Sequence, residues 1–316
     1  MLIFASALAA VLPMSFYLFL IWQFDKYDRE PFKLVLANYL WGALGAIIFA
    51  VIGSLILSSF ASIFIRDELH LGRFGAIVIA PVVEEITKGF FLLITVANRK
   101  FDNITDGIVY GGAIGLGFGM TENFIYFIVY GTTIQDWIVI VVVRTLFSAV
   151  MHCVATATFG AFIGYAKFKG RNSKLFFSLI GMLLAMAIHS AWNFSVSFQS
   201  TAPLGFLFMF VTILIFILVF TLSIQNEKKI LLNELMDEAA LGNIPFEHII
   251  FLSSSLRDRK GWVDESIRKT YIKAATTLAF RKLQARNSHG TSKLYYDNDV
   301  TNYRKFIGSL LIEETV

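Results

Sequence analysis

The stretch Ala80-Pro81-Val82-Val83-Glu84-Glu85-Ile86-Thr87-Lys88-Gly89 decides how this chain is read. It lies within an apolar run over about 74–97, long enough to cross a bilayer as a helix. A charge at such depth costs about 2.5–3.5 kcal/mol on insertion scales, so it faces a bundle interior or a wet cavity and marks a working site. Glu84 and Lys88 stand at i and i+4 and can pair on one helix face. Glu85 points about 100° away and is left unexplained by that pair. Pro81 removes one helical hydrogen bond just ahead of both carboxylates, either as an ordinary kink or as the opening of the helix.

Outward from this stretch, the composition is that of a polytopic membrane protein. Of 316 residues, 56% are hydrophobic and 16% charged, with a mean hydropathy of +0.67. A soluble globule carries more charge and less apolar side chain. Seven apolar segments are expected to span the bilayer, over about 2–24, 34–65, 74–97, 107–130, 137–166, 175–198 and 204–224. No basic stretch precedes the first, which reads as a retained helix and not a cleaved signal peptide. The second exceeds a straight crossing and is expected to tilt or to extend beyond the lipid. Eleven Lys and Arg fall in the first, third and fifth loops and just past the seventh segment, against two, Arg66 and Arg73, in the opposite loops. The amino terminus is therefore expected outside and the carboxyl terminus in the cytoplasm.

The expected fold class is all-α, with about seven transmembrane helices in residues 1–224 and a small, mostly helical cytoplasmic domain in 225–316. That tail holds 14 Lys and Arg and 12 Asp and Glu in 92 residues, more charges than the much longer span before it. Apolar residues recur at helical spacing around Leu231 and Leu235, and a Gly242-Asn243-Ile244-Pro245 break precedes a second amphipathic stretch over 265–286. Residues 287–303 are polar and are expected to form a loop. A net charge of +4 is too small to point to nucleic acid, and the lone Cys153 rules out an intrachain disulfide.

Polar groups from four segments converge in depth. Counted from the outer ends, Glu84, Glu85, Glu122, His152 and His189 fall in one layer about 13–22 Å below the outer surface at the helical rise. Glu122 follows Gly111, Gly115 and Gly119, a small-residue face suited to tight helix packing. His189 and Asn193 share one helix face at i and i+4. A histidine placed as His152 is, taken alone, more often a hydrogen-bonded core residue than a ligand. Arg144 either snorkels or pairs with Asp136 or with a site carboxylate. Carboxylates and imidazoles in a semi-dry layer suit the activation of water for hydrolysis. Glu122, His152 and His189 form a candidate zinc set with an open position, while a metal-free glutamate mechanism stays open. Asn193 is placed to donate to an oxyanion.

In combination, Glu84-Glu85-x-x-Lys88, Asp106-Gly107-x-x-Tyr110-Gly111, Gly117-Phe118-Gly119-x-x-Glu122-Asn123, His152 and His189-x-x-x-Asn193 resemble the PrsW intramembrane proteases, within a wider group that includes the CAAX prenyl endopeptidases. The resemblance covers residues 75–195. It implies a prokaryotic plasma-membrane protease that makes the first cut in a membrane-tethered, single-span protein such as an anti-sigma factor. Carried over by position, Glu84 and Glu85 match the family's paired glutamates, Glu122 its second-motif glutamate, and His152, His189 and Asn193 its later polar positions. In the prenyl endopeptidases the second motif ends in histidine, so Glu122 argues against prenyl-peptide processing. The lead reading is an intramembrane endopeptidase with water activated by Glu85 or Glu84. The alternative is an ion-coupled transporter or channel using the same carboxylates and histidines.

Overall fold

The structure, a computed structural model, describes residues 2–313 and contains no strand among them. The chain forms two compact units, Met1–Asp25 with Glu30–Phe220, and Lys26–Arg29 with Thr221–Val316. The helices of the first are α1 (Leu2–Phe24), α2 (Phe32–Ala61), α3 (68–96), α4 (Ile104–Tyr130), α5 (Ile134–Ala166) and α6 (Arg171–Val196). The helix α7 (Ala202–Ala240) begins there and runs without a break into the second unit. All of these except α3 are long and apolar enough to cross a membrane, which gives six candidate spans where the sequence led us to expect seven. The α-helical part of α3, Ala80–Val96, is 17 residues long and holds Glu84, Glu85 and Lys88. Charge and shortness remove it from the apolar set.

Three of these helices contain a π turn, at Trp41–Ala46 in α2, Gly75–Ile79 in α3 and Arg144–Ser148 in α5. A π turn accommodates one extra residue and disturbs the ladder of carbonyls and donors around it. In two of the three, a side chain from a neighbouring helix takes a carbonyl of the turn. Thr121 Oγ1 donates to the Ala43 carbonyl at 2.7 Å, and Asn193 Nδ2 to the Ala76 carbonyl at 2.8 Å. In α3 the π turn is followed by Pro81, which has no N–H to offer the turn behind it. The expected Pro81 irregularity is thus a π turn ending at Ile79, after which the α-helix restarts one turn ahead of Glu84.

Helix α4 is the most enclosed element, opened by a capping box in which Asn103 accepts from the Asp106 N–H and Asp106 answers. Its glycines lie against α5, as the spacing predicts. A Cβ at Gly111 would stand 2.5 Å from the Thr156 carbonyl and one at Gly115 2.2 Å from the His152 carbonyl. Only hydrogen fits there, so the two backbones touch and the His152 ring starts from a point close to α4. The seam that packs the helices also sets the site.

In the second unit the far part of α7 packs with α8 (His248–Leu252), a 3-10 turn at Ser255–Asp258, α9 (Arg268–Asn287) and α10 (Gly290–Glu313). Leu231, Leu235, Tyr271, Leu278, Val300 and Ile307 are among its core residues. Gly242, at φ 76°, makes the left-handed turn at the end of α7 that other residues resist. The wholly buried Glu238 accepts two bonds from Arg304 at 2.8 and 2.9 Å, one from Asn243 at 2.8 Å, and pairs with Lys282 at 2.8 Å. Arg257 donates to the carbonyls of Lys26 and Tyr27 at 3.0 and 3.2 Å, which makes residues 26–29 part of this unit. The loop expected over 287–303 is instead mostly α10. Tyr296, Val300 and Tyr303 within that polar run, and Ile307 just past it, recur every three or four residues and give the helix a buried face.

Two outcomes follow from this packing. Gly115→Ala should destabilise the protein by about 1–3 kcal/mol through overpacking at the α4–α5 seam. Gly72→Ala, where a Cβ meets nothing within 4 Å, should leave it unchanged or slightly more stable; thermal unfolding in detergent compares the two. Glu238→Ala should cost about 3–5 kcal/mol by leaving Arg304 and Lys282 without their shared partner, read as early proteolysis of the segment after Thr221 in the full chain.

Candidate active site and metal centre

Lys88 is the innermost charge of the site. Fully buried, its Nζ donates to Glu85 Oε1 at 2.7 Å and to His152 Nδ1 at 2.9 Å, and lies 4.1 Å from the centre of the Phe118 ring. Glu84 Oε2 is farther away, at 3.6 Å. The pairing expected between Glu84 and Lys88 is therefore secondary. The i+3 neighbour is as near on a helix as the i+4 one, and here Glu85 holds the lysine.

Lysine has no lone pair to give, and this fixes the imidazole tautomers. His152 Nδ1 accepts from Lys88, so its proton is on Nε2, which donates to Glu122 Oε2 at 2.7 Å. His189 Nδ1 faces Glu85 Oε1 at 3.0 Å, and a carboxylate accepts, so the proton is on Nδ1 and the lone pair on Nε2. The two rings stand perpendicular, with centroids 4.7 Å apart. The lone-pair atoms both turn toward Glu84 Oε2, at 3.9 Å from His152 Nδ1 and 3.8 Å from His189 Nε2.

The three carboxylates have different surroundings. Glu85 is 1% exposed and both its oxygens are engaged, Oε1 by Lys88 and His189 and Oε2 by Thr156 Oγ1 at 3.0 Å. Glu84 Oε2 is buried and has no hydrogen-bond partner. Glu122 Oε2 accepts from Arg144 at 2.6 Å as well as from His152, while Arg144 Nε donates to Asn123 Oδ1 at 3.1 Å and its guanidinium lies over the Tyr126 ring. Glu84 and Glu122 line a cavity of about 360 Å³ between α2, α3 and α4, and Glu85 lies behind them.

Among the described residues, Glu84, His152 and His189 bring one ligand atom each to within 4.8 Å of one another. The residues fit a divalent ion. An orphaned buried carboxylate oxygen and two imidazole lone pairs converge, a common nitrogen and oxygen donor set for zinc. Each imidazole also has a carboxylate on its other nitrogen, Glu85 behind His189 and Glu122 behind His152, as metal-binding histidines usually do. In the structure Lys88 holds the His152 lone pair that such an ion would take. The set differs from the expected Glu122, His152 and His189, because Glu122 sits at the protonated nitrogen of His152.

Of the six residues singled out in the sequence, five meet in this cluster. Asn193 does not: its amide donates to the Ala76 carbonyl and ties α6 to the π turn of α3. Arg144 takes the site carboxylate Glu122 and not Asp136. Thr156 was not foreseen, although His152 and Thr156 at i and i+4 share a helix face and the signal was available.

Known proteins match the same region. The model of the PrsW family of intramembrane metalloproteases matches residues 30–222. The chain is 29% identical to Protease PrsW of Oceanobacillus iheyensis over 234 residues, 72% of this chain and 98% of that protein. It is 26% identical to Protease PrsW of Clostridioides difficile over 209 residues, 66% of this chain and 85% of the relative. With Protease PrsW of Bacillus subtilis the identity is 25% over 174 residues, 54% and 72% of the two chains. No solved structure matches the chain. Between an enzyme and an ion-coupled carrier, these relatives favour the enzyme. With the matched region holding every member of the Glu84, Glu85, Glu122, His152 and His189 cluster, the chain belongs to the PrsW family of intramembrane metalloproteases.

Proposed function

We propose that this protein hydrolyses a peptide bond of a single-span, membrane-tethered protein near the extracytoplasmic face, as the first cut of a regulated pair, with an anti-sigma factor as one fitting substrate. The observation that carries this reading is the meeting of two imidazole lone pairs with a buried carboxylate oxygen that has no hydrogen bond, on a glutamate that lines a cavity. Glu84, His152 and His189 are the residues that would hold a divalent metal, zinc being the natural choice. Such an ion supplies Lewis acidity toward a peptide carbonyl when bound.

The chain's own residues divide the remaining work. Glu122 faces the cavity with one oxygen committed to Arg144 and His152, and we assign its other oxygen to take the proton of the attacking water. Arg144 orients that carboxylate through its bond to Oε2. Glu85 aims His189, Thr156 aims Glu85, and Lys88 balances the surplus negative charge. Glu85 is thus a positioning residue in this reading, not the base. Asn193 is another, holding the π turn ahead of Glu84.

The same reading places the protein in the plasma membrane with its amino terminus outside. Lys26 and Tyr27 of the first loop accept hydrogen bonds from Arg257 of the tail, so the two must lie on one side of the membrane. An even number of crossings must separate them. Helices α2 to α7 supply six only if α3 crosses, which supports seven spans despite the polar content of α3. The basic loops assign that shared side to the cytoplasm.

Metal analysis of the purified protein should find one ion per chain, lost in Glu84→Gln, His152→Ala and His189→Ala. Glu122→Gln should keep the ion and still lose cleavage of a reconstituted single-span substrate by about 10²–10⁴-fold. Metal retained in Glu84→Gln would defeat the ligand assignment, and undiminished cleavage by Glu122→Gln would defeat the base. Glu85→Gln should weaken metal affinity by about 10–100-fold, as loss of an outer partner does, measured by competition with a chelating dye.

A further inference from the structure

Hydrolysis of a bond in a membrane span demands more than a catalytic cluster. A helical span hides its carbonyls in its own hydrogen bonds, so the segment must unwind before water can attack. An unwound backbone at hydrocarbon depth then exposes N–H and C=O groups that nothing in lipid can satisfy. The enzyme has to supply partners beside the site.

The cavity in front of Glu84 and Glu122 has such partners on one wall. On α2, Ala50, Ser54 and Ser58 recur every four residues and line it, together with the lipid-facing Val51 and Leu55. Across from them on α4 stands Ile125, also exposed. The Ser54 and Ser58 hydroxyls are not engaged by any other described residue, whereas Ser59 beside them turns back to the Leu55 carbonyl at 2.8 Å. Small residues alone would mark only a packing stripe. Here the stripe faces a cavity whose wall also holds Glu84, a carboxylate only 9% exposed and with no hydrogen bond to its Oε2.

We infer that the cleft between α2 and α4 receives one apolar span of another protein from the side, and that Ser54 and Ser58 hydrogen-bond its backbone where it is unwound. The spacing fits this occupant. Four residues along α2 separate the hydroxyls by about 6 Å at the helical rise. In an extended chain, groups on one edge repeat every second residue, at about 6.6–6.8 Å. Exposed Val51, Leu55 and Ile125 favour an apolar span over a soluble peptide. The inference rests on the hydrolase reading above, since only cleavage requires the segment to be unwound. Ser54 and Ser58 are positioning residues.

The test uses the full chain in lipid nanodiscs, in a Glu122→Gln background so that nothing is turned over. The probe is a synthetic peptide with one Leu/Ala span, lysine flanks, a mid-span benzophenone and a central Gly-Gly pair; a second probe has Leu-Leu in its place. Photolabelling of the Gly-Gly probe should map to α2 around residues 50–58. It should fall by about tenfold in the Ser54→Ala, Ser58→Ala double variant, as loss of two hydrogen bonds implies, and recover in the Ser54→Thr, Ser58→Thr pair. The Leu-Leu probe, which resists unwinding, should label more weakly and respond less to either pair. Metal content equal to that of the parent shows that the variants are folded. Labels on other helices, or equal labelling in the alanine pair, would overturn the inference. Because labelling needs no turnover, a parent chain that labels at α2 but cuts no substrate would refute the hydrolase reading alone.

Discussion

A lysine with no access to solvent is held between a glutamate and a histidine at the centre of the bundle, and the rest of the structure follows from satisfying it. Lys88 Nζ sits 2.7 Å from Glu85 and 2.9 Å from His152. An unpaired ammonium there would be untenable, and so would the carboxylates without it. Because lysine only donates, its contact dictates which nitrogen of His152 carries the proton, and the remaining hydrogen bonds are ordered outward from that choice. Glu122 from α4, with Arg144 and Thr156 from the helix of His152, completes the arrangement. The network is less a source of stability than a means of presenting specific atoms in a fixed direction.

Backbone contacts bring these groups into register. The α4–α5 seam lets the His152 carbonyl approach Gly115 directly, and the same seam aligns Thr156 with Gly111. On the opposite side, Asn193 and Thr121 each satisfy a carbonyl of a π turn. Features that look like local irregularity in α2 and α3 are thus tied to neighbouring helices by side chains of those neighbours. The two carboxylates of the pair end in different settings as a result: Glu85 is enclosed and Glu84 fronts the cavity.

Much of this was legible in the residues. Charges inside an apolar run are costly to scatter, and the common depth of Glu84, Glu85, Glu122, His152 and His189 is readable from their spacing. The helices followed from hydropathy because lipid tolerates little else. What stayed hidden was angular. Pattern alone lets Lys88 pair with Glu84 at i+4, yet the i+3 contact to Glu85 is the shorter one in the fold, with His152 on the other side of the ammonium. Pattern also made Glu122 a metal ligand, because sequence gives residue types and not which side of an imidazole they approach. Asn193 was read from its place beside His189, but the carbonyl it serves exists only because α3 contains a π turn. The tail helix over Gly290–Glu313 was missed because its few apolar residues are diluted by charge.

The surplus residue at Gly75–Ile79 has a broader meaning. Adjacent glutamates on a helix differ by about 100° in heading, so one residue more or less of winding upstream exchanges which of them looks outward. Relaxing that turn to ordinary α-helical winding would swing Ala80–Val96 by about that angle, turning Glu84 from its opening and parting Lys88 from His152. The extra residue works as an indexing notch: chain length and direction of aim are uncoupled at this one point, and the orientation of the whole reactive face is set one turn before the residues that form it.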